Sequence, residues 1–148
     1  MDEIQHFNPI WKTRADFIIA GSVHVDDETI IEQLWAKRLD SHLFELCCIP
    51  FHLYNLSLGD TVHVNDDFVV DQLITPSGRY VFRVFKEDGS LRGNEMVNQV
   101  ERLGGAFEWN TDSFAAVDAV NLSCASAIAR LLMDLQGAGQ IHFDTGRQ

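Results

Sequence analysis

Arg79-Tyr80-Val81-Phe82-Arg83-Val84-Phe85 alternates and is rich in aromatic and β-branched residues, the pattern of a strand, and Lys86-Glu87-Asp88-Gly89 stops it. What comes next decides the fold. Met96, Val97, Val100 and Leu103 fall at helical spacing before Gly104-Gly105 ends the helix. Ala106-Phe107-Glu108-Trp109 alternates as a strand, Asn110-Thr111-Asp112 turns, and Phe114 to Val120 is the next strand. Ser123 is the expected N-cap of a long helix whose inner stripe is Ala127, Ile128, Leu131, Leu132 and Leu135. Gly137-Ala138-Gly139 closes that helix, and Gln140 to Asp144 is the last strand. The order strand, helix, strand, strand, helix, strand is a ferredoxin-like βαββαβ half spanning 79–148.

Upstream of Arg79 the pattern is mostly sheet. Phe17 to Val25 reads as a strand broken by Asp26-Asp27-Glu28. Thr29 to Leu39 is open between two readings: Ile30, Ile31, Leu34, Trp35 and Arg38 suit a helix capped by Asp27, whereas Ile31, Gln33, Trp35 and Lys37 alternate with their neighbours as a strand would. Leu43 to Ile49 is a strand stopped by Pro50, which cannot donate to a ladder, and Thr61 to Val64 and Phe68 to Ile74 are further strands. Pro76-Ser77-Gly78 is expected to close a hairpin onto Arg79–Phe85. The expected class is α+β: a lead-in over 1–15, with Phe7, Ile10 and Trp11 as its anchors, then a single domain over 16–148. Its β-rich part, antiparallel and small-barrel-like, covers 16–78, and its ferredoxin-like part covers 79–148.

A chain of 148 residues with 46% hydrophobic and 22% charged residues has the composition of an ordinary globular domain. Its 22 acidic against 11 basic residues give a formal net charge of −11, the wrong sign for holding phosphates or an anionic membrane surface. A charged partner is therefore expected to be a basic protein, with no nucleic acid and no membrane. The start, Met1-Asp2-Glu3, carries acids where a secretory signal carries lysine or arginine, and the longest apolar stretches fall far short of the roughly 20 residues of a membrane span. Cys47, Cys48 and Cys124 form an odd set with two adjacent members, so no disulfide framework or zinc spacing can be drawn. A reducing cytoplasm is the expected location, with the cysteines as small buried hydrophobes.

Catalytic and cofactor motifs do not emerge. Neither G-x-x-x-x-G-K-[ST] nor G-x-G-x-x-G occurs. The histidines are scattered, and the best-placed metal candidate, His63 near Asp60, Asp66 and Asp67, lacks a recognised ligand spacing. Ser57 sits in S-L-G-D rather than on a nucleophile elbow, and Cys48 has no cationic neighbour in sequence to lower its pKa. No cofactor, metal or reaction is expected.

Leu34-Trp35-Ala36, the block Ile49-Pro50-Phe51-His52-Leu53-Tyr54-Asn55-Leu56-Ser57-Leu58-Gly59-Asp60-Thr61-Val62, and Tyr80-x-Phe82-Arg83-Val84-Phe85 together resemble a family of small bacterial proteins, the domain of unknown function 4265. The resemblance covers about residues 30 to 145. It implies a strand for Thr29 to Leu39 and an α+β C-terminal half, and it attaches no reaction or ligand. The chain departs from the family's usual residues at His52 and Asn55.

The acids exceed the background, and they define the expected partner-binding set: Asp60, Asp66, Asp67, Asp71, Glu108 and Asp112, with Trp109 as an aromatic anchor. The leading expectation is a non-enzymatic cytosolic protein that binds and neutralises a basic partner. An immunity protein against a bacterial toxin, such as a contact-dependent growth inhibition nuclease, fits that description. The alternative is a small-molecule sensing or regulatory module. Its cue is the apolar and aromatic segment Phe51 to Leu58, with a ligand held between the two halves.

Overall fold

In the computed structural model, which describes residues 2–147, the elements run β1 (Asp2–Ile4), β2 (Phe17–Val25), β3 (Glu28–Arg38), β4 (Leu43–Leu46), β5 (Thr61–Val64), β6 (Val70–Thr75), β7 (Tyr80–Phe85), α1 (Glu95–Arg102), β8 (Ala106–Thr111), β9 (Phe114–Ala119), α2 (Leu122–Gly137) and β10 (His142–Thr145). The class is α+β, with a six-stranded mixed sheet and a four-stranded antiparallel one.

The undecided segment is a strand, the longest of the chain. β3 pairs with β2 along its length on one edge, and on the other with β1, parallel, and then β4, antiparallel. Its buried row is Glu32, Leu34 and Ala36. A carboxylate on the inward row hid the period of two. Asp26 and Asp27, both at positive φ, make the two-residue turn between β2 and β3, a position where Asp is among the tolerated residues. The sheet continues through β4, β5 and β6 and curls until Ala20 of β2 bridges Val69. It does not close into a barrel. Phe44, Leu46, Val62, Leu34 and Ile19 fill the inside of the curl.

The second sheet has the order β10-β7-β9-β8, all antiparallel, which is the ferredoxin-like arrangement expected from the element order. Alternation along β7 assigns its two faces. Phe82 and Val84 join Met96, Val100, Ile128 and Leu132 of the helices, while Val81 meets Ile49, Phe51 and Leu58 on the other face. The four-stranded sheet is thus covered on both sides, and burial runs almost unbroken along β7 and β9.

Two expectations need correction. Pro76-Ser77-Gly78 closes no hairpin: β6 pairs with β5, β7 pairs with β9 and β10, and the segment crosses between sheets, held by Asp60 and Leu58 to Ser77. The N-cap of α2 is Asn121, whose side chain accepts from Cys124 N, and not Ser123. Within residues 2–15, β1 extends the first sheet, His6 is buried, and Ile4 with the expected anchors Ile10 and Trp11 packs on the core between the halves, while the third expected anchor, Phe7, is exposed. That packing needs partner surfaces from Ile49 to Ala116, far downstream, which no local pattern displays.

Candidate functional site

The segment 47–60 between β4 and β5 lies where the two sheets meet, and charged side chains hold it from both sides. From the first sheet, Glu32 accepts the backbone N–H groups of Phe51 at 2.7 Å and His52 at 2.8 Å. From the second, Glu108 accepts Ile49 N at 2.7 Å. Pro50, lacking an N–H, sits between them without leaving an orphan donor. On the carbonyl side, Arg83 of β7 donates from Nη2 to Leu53 O and, at 3.5 Å, to Pro50 O.

His6 joins the two carboxylates. Its Nε2 lies 2.6 Å from Glu32 and its Nδ1 2.5 Å from Glu108, and its ring stacks on Phe51 at 4.2 Å. Burial disfavours the imidazolium, but hydrogen bonds and charge from Glu108 and Glu32 outweigh it and raise His6 to about 9. Burial likewise pushes Glu32 up, and His6 with the Phe51 and His52 N–H groups brings it to a net value below the ordinary range. A cation shared by two anions and three backbone donors is a satisfied network.

His6, Cys48 and Glu108 also place potential ligand atoms within 4.8 Å of one another. The group fits an ion poorly, because both ring nitrogens of His6 are already engaged and Cys48 is held as a thiol. Burial raises its pKa well above the ordinary value, and the charges of Glu108 and Glu32 add to that. The proposed His63 cluster does not assemble: His63 pairs with Asp71 at 2.6 Å and stacks with His42, and Asp60 is buried elsewhere.

Beside this seam the two halves enclose a cleft of about 830 Å³. One wall is β2 from Gly21 to Val25, the next is Phe51–Leu56, and the floor comes from Arg83, Phe114 and the β10 residues His142 to Asp144. A Cβ on Gly21 would run into Leu53 Cδ1, so the glycine lets the loop sit against the strand. Arg83 is 5% exposed, and its Nε and Nη1 have no hydrogen-bond partner among the described residues. The Tyr54 ring lies 4.5 Å from its guanidinium carbon, and the Tyr54 hydroxyl donates to Asp144 at 2.9 Å. Accepting that proton, Asp144 raises the Tyr54 pKa, with some help from burial. Burial lowers His52 and keeps it neutral.

The expected partner-binding residues are dispersed. Asp60 is 3% exposed and accepts Ser57 N and Ser77 N, and Glu108 is 2% exposed in the His6 network, so neither is available to a protein partner. For Asp60 the Leu58-Gly59-Asp60 turn is a local signal that its carboxylate can bond turn backbone, whereas the backbone N–H that Glu108 satisfies, 59 residues away, leaves no sequence mark. Asp66, Asp67 and Asp71 are exposed around the β5–β6 turn, where Asp66 meets His42. Trp109 of β8 and Asp112 of the β8–β9 turn share Arg92. The sequence reading missed His6, Glu32 and Arg83. For Arg83 and Glu32 there was a signal, a charge on the inward row of an apolar strand, whereas His6 had none.

No curated protein matches the chain. Among solved structures, a hypothetical protein from Neisseria gonorrhoeae is similar, with a TM-score of 0.77 at 17% identity over 88% of this chain and 93% of that one, which speaks for the fold alone. The sequence profile of the domain of unknown function DUF4265 matches residues 32–143, from the buried Glu32 through Arg83 and Glu108 to β10. The chain belongs to the DUF4265 family.

Proposed function

We propose that this protein is a cytoplasmic binding module and not an enzyme, and that it takes a small molecule in the cleft between its two halves. The cleft carries this reading: its volume lies within the range of pockets for drug-sized ligands, and its walls are more apolar than polar, with Arg83, Tyr54, His52 and Asp144 among the polar groups. The segment that cued the small-molecule alternative, Phe51 to Leu58, supplies one wall through Leu56. Burial keeps His52 neutral and the Tyr54 hydroxyl donates to Asp144, so both stand in the lining as uncharged hydrogen-bonding groups. A thermal-shift screen against small metabolites, run beside a Val23→Trp variant that fills the cleft, tests it. Stabilisation of the native protein that the variant loses is expected; stabilisation that the variant keeps, or none at all, rejects the cleft as the site.

A second reading is neutralisation of a basic protein partner, as an immunity protein would neutralise a toxin. The net charge of −11 favours it, and so does the Asp66-Asp67 turn, where the Asp66 side chain is 99% exposed. With Asp60 and Glu108 interior, the surface it uses is this turn, with Asp71 beside it. Retention of a basic protein at low salt, lost at high salt and lost in Asp66→Lys/Asp67→Lys, is the expected result, and salt-independent retention removes charge as its basis.

A further inference from the structure

We propose that the ligand of the cleft is a monocarboxylate with an apolar body, its carboxylate paired to Arg83. The inference rests on the cleft reading above and names the class of molecule it takes.

β7 and the residue preceding it carry two arginines with contrasting surroundings. Arg79 meets Asp118 at 2.6 Å, so its charge has a carboxylate partner inside the protein. Arg83, four residues on and more deeply buried, has none among the described residues: Nη2 reaches two backbone carbonyls, Tyr54 covers the guanidinium, and Nε and Nη1 meet no acceptor there. Removing a charge from water is costly unless a partner and hydrogen bonds offset it. Asp144 stands opposite Arg83 in the strand register, yet it accepts from Tyr54 instead. The missing partner is a carboxylate, and the residue lacking it lines the cleft.

The charge balance narrows the class. Among the described residues lining the cleft Arg83 is the one lysine or arginine, and Asp144 lies beside it. A phosphate dianion would leave a second charge unneutralised beside Asp144, whereas a single carboxylate matches the single guanidinium. The remaining walls, with Val23, Ile30, Val70, Phe114 and Phe143, call for an apolar body.

The test titrates the full chain, ¹⁵N-labelled, with 4-phenylbutanoate and hexanoate, with the corresponding neutral amides, and with phenyl phosphate. The expected result is shifts at cleft residues, with each acid binding roughly 10-fold or more tighter than its amide. Arg83→Met is expected to bring that ratio to about one while amide binding persists. The wild-type ratio decides even if the variant does not fold. Acids and amides binding the cleft equally would overturn the carboxylate inference and leave the cleft reading standing, as would tighter binding of phenyl phosphate. Absence of shifts with every probe would overturn both.

Discussion

His6 and Glu108, 102 residues apart in the chain, meet at 2.5 Å in the seam between the sheets, and the same imidazole reaches Glu32 on the other side. Through this ring the N-terminal segment, the six-stranded sheet and the four-stranded sheet are tied at one point. The same point anchors Ile49–His52, the start of the segment that walls the cleft.

Replacing His6 by alanine leaves two buried carboxylates without their cation. A loss of about 3–5 kcal/mol in unfolding free energy is expected from urea denaturation. Glu108→Gln in the His6→Ala background is expected to recover part of that loss, because it removes one of the uncompensated charges; a cycle showing simple additivity would separate the two residues energetically.

The His6 interaction has a defined pH window. Its folded value of about 9 lies above the ordinary 6.5, so its stabilisation is complete below 6.5 and is lost as pH rises through 9. Glu32 is held below its ordinary range, so its share is present above about 4.5 and is lost as the solution is acidified through its folded value. Stability measured against pH should therefore fall on the alkaline side between 6.5 and 9. A His6→Gln variant should lose that alkaline limb, and an unchanged limb would place its origin elsewhere.

The two classes of aspartate should respond differently to removal. Asp60→Ala deletes acceptors for Ser57 N at 2.8 Å and Ser77 N at 2.7 Å, and a loss of about 2–4 kcal/mol is expected. Asp66→Ala and Asp67→Ala are expected to stay within about 0.5 kcal/mol of the parent protein. Denaturation midpoints of the three variants check this directly.

Gly21→Ala forces Leu53 away from β2, shifting the cleft wall. The expected cost is about 1–3 kcal/mol in stability, with amide chemical-shift changes concentrated in residues 51–56. Changes confined to β2 would show that Leu53 turns aside without moving the loop.

The C-terminal topology could be read from the chain because each of its elements advertises itself locally. Val81, Phe82 and Val84 carry strand pattern and side-chain type, Met96, Val97 and Val100 carry helical spacing, and Gly104-Gly105 punctuates. The β-rich part was legible strand by strand except at β3, where Glu32 on the inward row broke the apolar alternation. Pairing was less legible. Pro76-Ser77-Gly78 has turn chemistry, but turn chemistry does not say whether the flanking strands return to one another or part company.

The sequence by itself determined the α+β class, the βαββαβ order, the family and an acidic surface, because these follow from local periodicity, turn residues, motif spacing and charge count. Tertiary structure alone decided the site. Whether a carboxylate faces water or a backbone N–H depends on what the chain brings against it from far away, so Asp60 and Glu108 went inside while Asp66 and Asp67 stayed out. Pairing with Glu32 and Glu108, against the cost of burial, made His6 a buried cation, and packing left Arg83 beside the cleft with Nε and Nη1 lacking a hydrogen-bond partner among the described residues.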